Sequence, residues 1–157
     1  MLAERDIRII SQLRKDGRMT LTELSKRTGV PVSTAFERLK ALRSKGLVKF
    51  TALVDFGSLG FNSRVFLAIK VNKGMREKAE EYLTGHSQVN SVYRINNGFT
   101  LMIDGVFRDN MREAEDFIEE LESRFRIRKR EVFFILGEVK REAVLSDSVS
   151  EVIQGGN

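Results

Sequence analysis

A chain of 157 residues suffices for one ordinary domain or two small ones, and 41% hydrophobic with 31% charged residues is the make-up of a soluble globular protein. With no cysteine and a single histidine, His86, the composition excludes disulfides, thiolate nucleophiles, cysteine-ligated metals and any histidine-based metal cluster. The net charge of +5 is unevenly placed: residues 1–50 hold 12 Lys/Arg against 5 Asp/Glu, whereas the rest hold 15 against 17, a segregation expected when a polyanion-binding module is joined to a neutral one.

The amino-terminal stretch MLAERDIRII scatters charges among its apolar residues, unlike a secretory signal, and no apolar run approaches the roughly 18 residues of a membrane span. A cytoplasmic protein without a membrane partner is expected. Three helices are predicted in the first fifty residues. Each is followed by a glycine suited to the left-handed position that ends a helix, Gly17, Gly29 and Gly46, with basic residues in the preceding turn. Thr20 and Glu23 have the spacing of a capping box, with Met19 and Leu24 as its hydrophobic staple. Pro31 suits the first turn of the third helix, and Gly29-Val30-Pro31 leaves only a tight turn before it. A short helix, a glycine-containing turn and a longer helix make a helix-turn-helix.

In the third helix Val32, Ala35, Phe36, Leu39 and Leu42 recur at spacings of three and four and are predicted to be buried. Ser33, Thr34, Glu37, Arg38, Lys40, Ala41, Ser44 and Lys45 are left facing outward. That set suits a DNA major groove: small hydroxyl residues allow close approach, Arg38 carries the fork that matches guanine, and Lys40 and Lys45 reach phosphates. Glu37 either accepts from a cytosine amino group or is a helix-stabilising surface residue. Residues 47–54 are rich in strand formers and predict a wing or linker strand, with Lys49 as a further phosphate contact.

Residues 51–62, with Gly57 and Gly60, read as a hinge between a DNA-binding domain over 1–50 and a second domain over 63–145, followed by a tail over 146–157. Beyond the hinge the pattern predicts strands at 64–71, 89–96, 99–107 and 131–142 and helices at 75–83 and 110–125, with Asn97-Gly98 as a hairpin turn. The order β-α-β-β-α-β is that of a ferredoxin-like α+β sandwich, two helices on one face of a four-stranded antiparallel sheet. In the second helix Met111, Ala114, Phe117, Ile118, Leu121 and Phe125 form the apolar face. Strands apolar on both faces need a second cover, which predicts a homodimer joined through its sheets. The basic run Arg126, Arg128, Lys129, Arg130 reads as a solvated turn paired with the acids of the preceding helix. No phosphate-loop or dinucleotide-binding glycine pattern and no acid–base constellation is present, so neither an enzyme nor a cofactor is expected.

Taken together, these motifs resemble the Lrp/AsnC, or feast/famine, family of transcriptional regulators. The resemblance rests on residues 6–13 and Asp16-Gly17-Arg18, on Glu23-Leu24 with Thr28-Gly29-Val30, on Ser33-Thr34 through Arg38-Leu39-Lys40, on Leu42 with Gly46-Leu47-Val48, and on Asp55 with Leu59-Gly60. It implies a winged helix-turn-helix joined to a ligand-sensing domain, dimers that assemble into tetramers or octamers on double-stranded DNA, and an amino-acid effector near Asn97, Gly98, Phe99 and Thr100. The chain departs from the family pattern in that loop, where Asn97-Gly98 stands for a threonine-glycine pair and Thr100 for the aspartate that commonly follows it. A sequence-specific regulator is the reading these residues support. An architectural DNA-binding protein of low sequence specificity, or a sensor without the usual amino-acid ligand, is the alternative.

Overall fold

A computed structural model describes residues 2–108 and 111–139, which fall into two compact units divided after Leu53. The first unit is three helices: α1 (Glu4–Lys15), α2 (Leu21–Thr28) and α3 (Val32–Ser44). Its core is Ile9 and Leu13 of α1, Leu24 of α2, Val30 of the turn, and Ala35 and Leu42 of α3. The capping box forms as the sequence predicts: the Thr20 hydroxyl accepts from the Glu23 N–H at 3.2 Å, and the Glu23 carboxylate accepts from the Thr20 N–H at 3.0 Å. The Thr20 N–H and the Thr20 hydroxyl, which donates to the same carboxylate at 2.9 Å, hold the Glu23 carboxyl below its ordinary range, with the flanking Arg27 and Lys26 adding to the effect. Buried Thr28 stitches the turn, its hydroxyl donating to the Leu24 carbonyl at 2.6 Å and accepting from the Val30 N–H at 3.3 Å. Gly29, at φ 69°, then reverses the chain into α3.

Three expectations for this unit need correction. Gly17 is not left-handed; Asp16 ends α1 in an extended conformation, and its carboxylate accepts from the Arg18 N–H at 2.9 Å, turning the chain without positive φ. The buried stripe of α3 is narrower than its apolar spacing suggested. Ala35 and Leu42 are buried, whereas Val32 is 43% and Phe36 49% exposed, because α3 meets its neighbours along a line through positions 35, 38, 39 and 42 that leaves the flank of 32 and 36 outside. Residues 47–54 form no strand. The N–H groups of Leu47 and Val48 turn back to the Leu42 carbonyl, and beyond them Lys49–Leu53 has no backbone partner among the described residues, so strand propensity finds no ladder to join.

The second unit contains β1 (Ser63–Lys70), α4 (Arg76–Thr84), β2 (Val89–Arg94), β3 (Leu101–Phe107), α5 (Arg112–Phe125) and β4 (Lys129–Phe134). The antiparallel sheet has the order β2-β3-β1-β4, with Leu67 opposite Ile103 on one side and Val132 on the other. This is the predicted split β-α-β-β-α-β topology. Alternation sends Val65, Leu67, Ile69, Leu101, Ile103 and Phe107 toward α4 and α5, where they meet Ala79, Leu83, Ala114, Phe117, Ile118, Leu121 and Phe125. Gly105 is fixed by this packing, since a Cβ there would lie 2.8 Å from the Phe107 ring. Met111, expected on the apolar face of α5, precedes the helix and is 53% exposed. The last strand begins two residues before the sequence suggested and stops at Phe134; positions 109, 110 and 140–157 lie outside the described residues.

The opposite sheet face carries Phe66 and Ala68 of β1, Met102, Asp104 and Val106 of β3, and Phe133 of β4. Asp104 is 2% exposed and is held by Arg64, whose Nε and Nη2 donate at 2.8 and 2.9 Å, and by Asn90 Nδ2 at 2.7 Å. Asn90 reaches it from the bulge where β2 shifts register against β3. The hinge is not featureless: Asp55 accepts from the Ser58 N–H and hydroxyl at 3.3 and 2.6 Å, closing a short helical turn over Gly57–Leu59. Of the basic run, Arg130 pairs with Glu122 of α5 at 3.1 Å as expected, and Arg126 ends α5 at φ 48°.

Candidate nucleic-acid interface

The outward face of α3 is a row at spacings of four, three and four: Ser33, Glu37, Lys40 and Ser44, all exposed. Thr34 lies beside that row and is half-buried. Lys45 caps the helix at its C-terminus, and Lys49 follows on the segment after Gly46; both are exposed. None of Lys40, Lys45 and Lys49 is ion-paired among the described residues, so three cations stand along the C-terminal half of α3 and its exit without a carboxylate to neutralise them. An exposed helix face with hydroxyls at its amino end and unneutralised lysines at its carboxyl end matches what a major groove and its phosphates require.

Arg38 does not join this face. Its Nε donates to Asp6 Oδ1 at 2.6 Å and its Nη2 to Asp6 Oδ2, a two-point clamp from α3 to α1. The fork expected to read guanine is taken up by Asp6, which is only 1% exposed and needs a cation against it, although the Arg38 side chain stays 38% exposed. The hydrogen bonds from Arg38 hold the Asp6 carboxyl below its ordinary value of 3.8 against the opposing effect of burial, and the same bonds raise Arg38. Asp6 was absent from the sequence-derived site. Its signal was present: it shares a helical stripe with Ile9 and Leu13, three and seven residues on, and an acid on an apolar face implies a buried partner.

In the second unit, Asn97 and Gly98 take φ 62° and 89°, the paired positive values of the hairpin turn their sequence predicted. The four residues expected to meet an effector are contiguous there, but their polar groups are unequally available. The Thr100 hydroxyl accepts from the Val71 N–H at 3.2 Å and lies 3.4 Å from the Val71 carbonyl, stitching β3 to the end of β1. The Phe99 ring lies beneath Lys129 Nζ at 4.2 Å, and Asn97 and Gly98 are exposed. Among the described residues no helix is long and apolar enough to cross a membrane, and no cluster of three His, Asp or Glu side chains has the arrangement of a metal site.

Residues 2–49 match the family model described as winged helix-turn-helix DNA-binding, and residues 64–145 match the Lrp/AsnC ligand binding domain. The chain belongs to the Lrp/AsnC family of transcriptional regulators. It is 35% identical over 123 residues to the HTH-type transcriptional regulator FL11 of Pyrococcus abyssi, an alignment covering 78% of this chain and 81% of that one. The leucine-responsive regulatory protein of Escherichia coli is 32% identical over 88 residues, 55% of this chain and 54% of its own. The crystal structure of a transcriptional regulator from Neisseria meningitidis in complex with L-Met superposes with a TM-score of 0.81 at 25% identity, covering 92% of this chain and 96% of that one. As a member of this family the chain is a DNA-binding regulator with an effector-type domain, and its family is one of regulators, not enzymes.

Proposed function

We propose that a homodimer of this chain places two α3 helices in successive major grooves and reads a pseudo-palindromic operator. Ser33, Thr34 and Glu37 face base edges, and Lys40, Lys45 and Lys49 hold phosphates. Arg38 keeps α3 at its angle to α1 and does not touch a base. The observation that carries this reading is the exposed row on α3 with its unpaired lysines, set in a unit that holds all the positive excess of the chain. Dimerisation is supported by the sheet face away from the helices, where Phe133 is 47% and Tyr93 53% exposed around half-buried Phe66 and Met102. Assembly to tetramers or octamers and residence in the cytoplasm are further expectations of the same reading. The loop Asn97-Gly98-Phe99-Thr100 is proposed as the effector end of the domain, with an amino acid as ligand. The relative from Neisseria meningitidis was crystallised with L-Met, which makes methionine the first amino acid to try.

Selection of bound fragments from random DNA, with and without an amino-acid mixture, tests this reading. Enrichment of two half-sites about one helical turn apart, altered by the mixture, is the expected result. Equal recovery of all sequences would instead indicate an architectural protein.

A further inference from the structure

Phe36 is an aromatic side chain in the amino-terminal half of α3 with 49% of its surface exposed, and Val32, one turn earlier on the same flank, is 43% exposed. Single exposed apolar residues need no explanation, but two stacked beside the row of Ser33, Glu37 and Lys40 form an apolar strip along that row. Phe36 sits three residues after Ser33 and four before Lys40, so both flank it on the helix surface. Its ring also lines an open groove of about 820 Å³, shared with Leu21, Leu39, Lys40 and Phe50.

We propose that Phe36, supported by Val32, packs on the C5-methyl group of a thymine and thereby specifies that base in each half-site. This rests on the reading of α3 as the helix that enters the major groove. Of the four base pairs, only those with thymine present an apolar group in that groove; every other edge offers donors or acceptors, which a phenyl ring can desolvate but cannot pair. Ser33 and Lys40, on either side, hold the neighbouring polar edges or phosphates and fix the ring over the methyl position.

The test uses the full chain and the operator recovered by selection. Each thymine is replaced singly by deoxyuridine, which removes the methyl and nothing else, and binding is measured at fixed salt for the wild type, Phe36→Ala and Phe36→Leu. One thymine per half-site is expected to weaken wild-type binding about fourfold when its methyl is removed, the effect of one buried methyl-sized group. Phe36→Ala should be indifferent to that methyl, and Phe36→Leu should keep part of the sensitivity. Thermal midpoints of both variants monitor folding, and the leucine variant carries the comparison where alanine lowers stability. A selected site with no methyl-sensitive thymine, or equal sensitivity in wild type and Phe36→Ala, overturns the role of Phe36 while leaving the DNA-reading helix in place. Selection that enriches no sequence overturns both.

Discussion

A carboxylate that is 1% exposed stays charged only with a cation against it, and in this chain the need of Asp6 decides the fate of Arg38. Spacing alone placed Arg38 outward, because position 38 lies between the buried and exposed sides of α3 and an arginine is long enough to serve either. The clamp joins residues 32 apart in sequence, so no local pattern reports it. The Arg38 side chain is 38% exposed, and solvent screens that end of the pair. Asp6→Asn is therefore expected to lower stability at pH 7 by about 2 kcal/mol, below the roughly 3–5 kcal/mol typical of a fully buried pair. The folded-state pKa of Asp6 is depressed below 3.8, so its contribution is present above about pH 4 and is lost as pH falls through the depressed value. Urea melts of wild type and Asp6→Asn between pH 7 and pH 3 should converge toward the acid end. A gap that stayed constant across that range would remove the ion pair as its cause.

Elements were legible where their signals are local. The Thr20–Glu23 box, the Gly29 turn, the Asn97-Gly98 hairpin and the first three period-two strands each depend on residues within a few positions and formed where their sequence indicated, whereas the last strand runs over Lys129–Phe134 instead of 131–142. Residues 47–54 show the opposite case, since a strand is defined by its partner and the unit offers none. The exposure of Val32 and Phe36 was hidden for a similar reason: hydrophobic spacing shows which side of a helix is apolar, not how much of that side its neighbours cover. A constraint equally invisible in sequence is the pinch in β3, where the absent side chain of Gly105 makes room for the Phe107 ring. Gly105→Ala should lower stability by about 1–3 kcal/mol through overpacking. In a Phe107→Leu background the same substitution should cost markedly less, because the ring it strikes is gone. Chemical denaturation of the four variants measures that coupling, and strict additivity would show that the alanine is resisted by something other than Phe107.

At the scale of the molecule, two separate demands meet in the proposed dimer. The second unit has more apolar sheet than two helices on one face can cover, and buried Asp104, held by Arg64 and Asn90, lies on the uncovered face beside Phe66 and Phe133. The first unit offers three lysines, Lys40, Lys45 and Lys49, with no ion pair among the described residues, enough in the proposed complex to neutralise about three phosphates in one half-site. Counterion release then gives a slope of log K against log salt near −3 for a monomer and near −5 for a dimer holding both half-sites. Phe133→Asp sets a charge on β4, the edge strand of the sheet, within the proposed seam and on the face away from the helices. Sedimentation should show the variant as a monomer, and its salt slope should fall from about −5 toward −3 as its preference for paired half-sites disappears. Lys45→Ala in the wild-type dimer should reduce the slope by about 2, one phosphate in each half-site, and weaken all sequences alike. A Phe133→Asp protein that remained dimeric with an unchanged slope would place the seam elsewhere, because a sheet-to-sheet contact loses affinity when an unpaired carboxylate is buried in it.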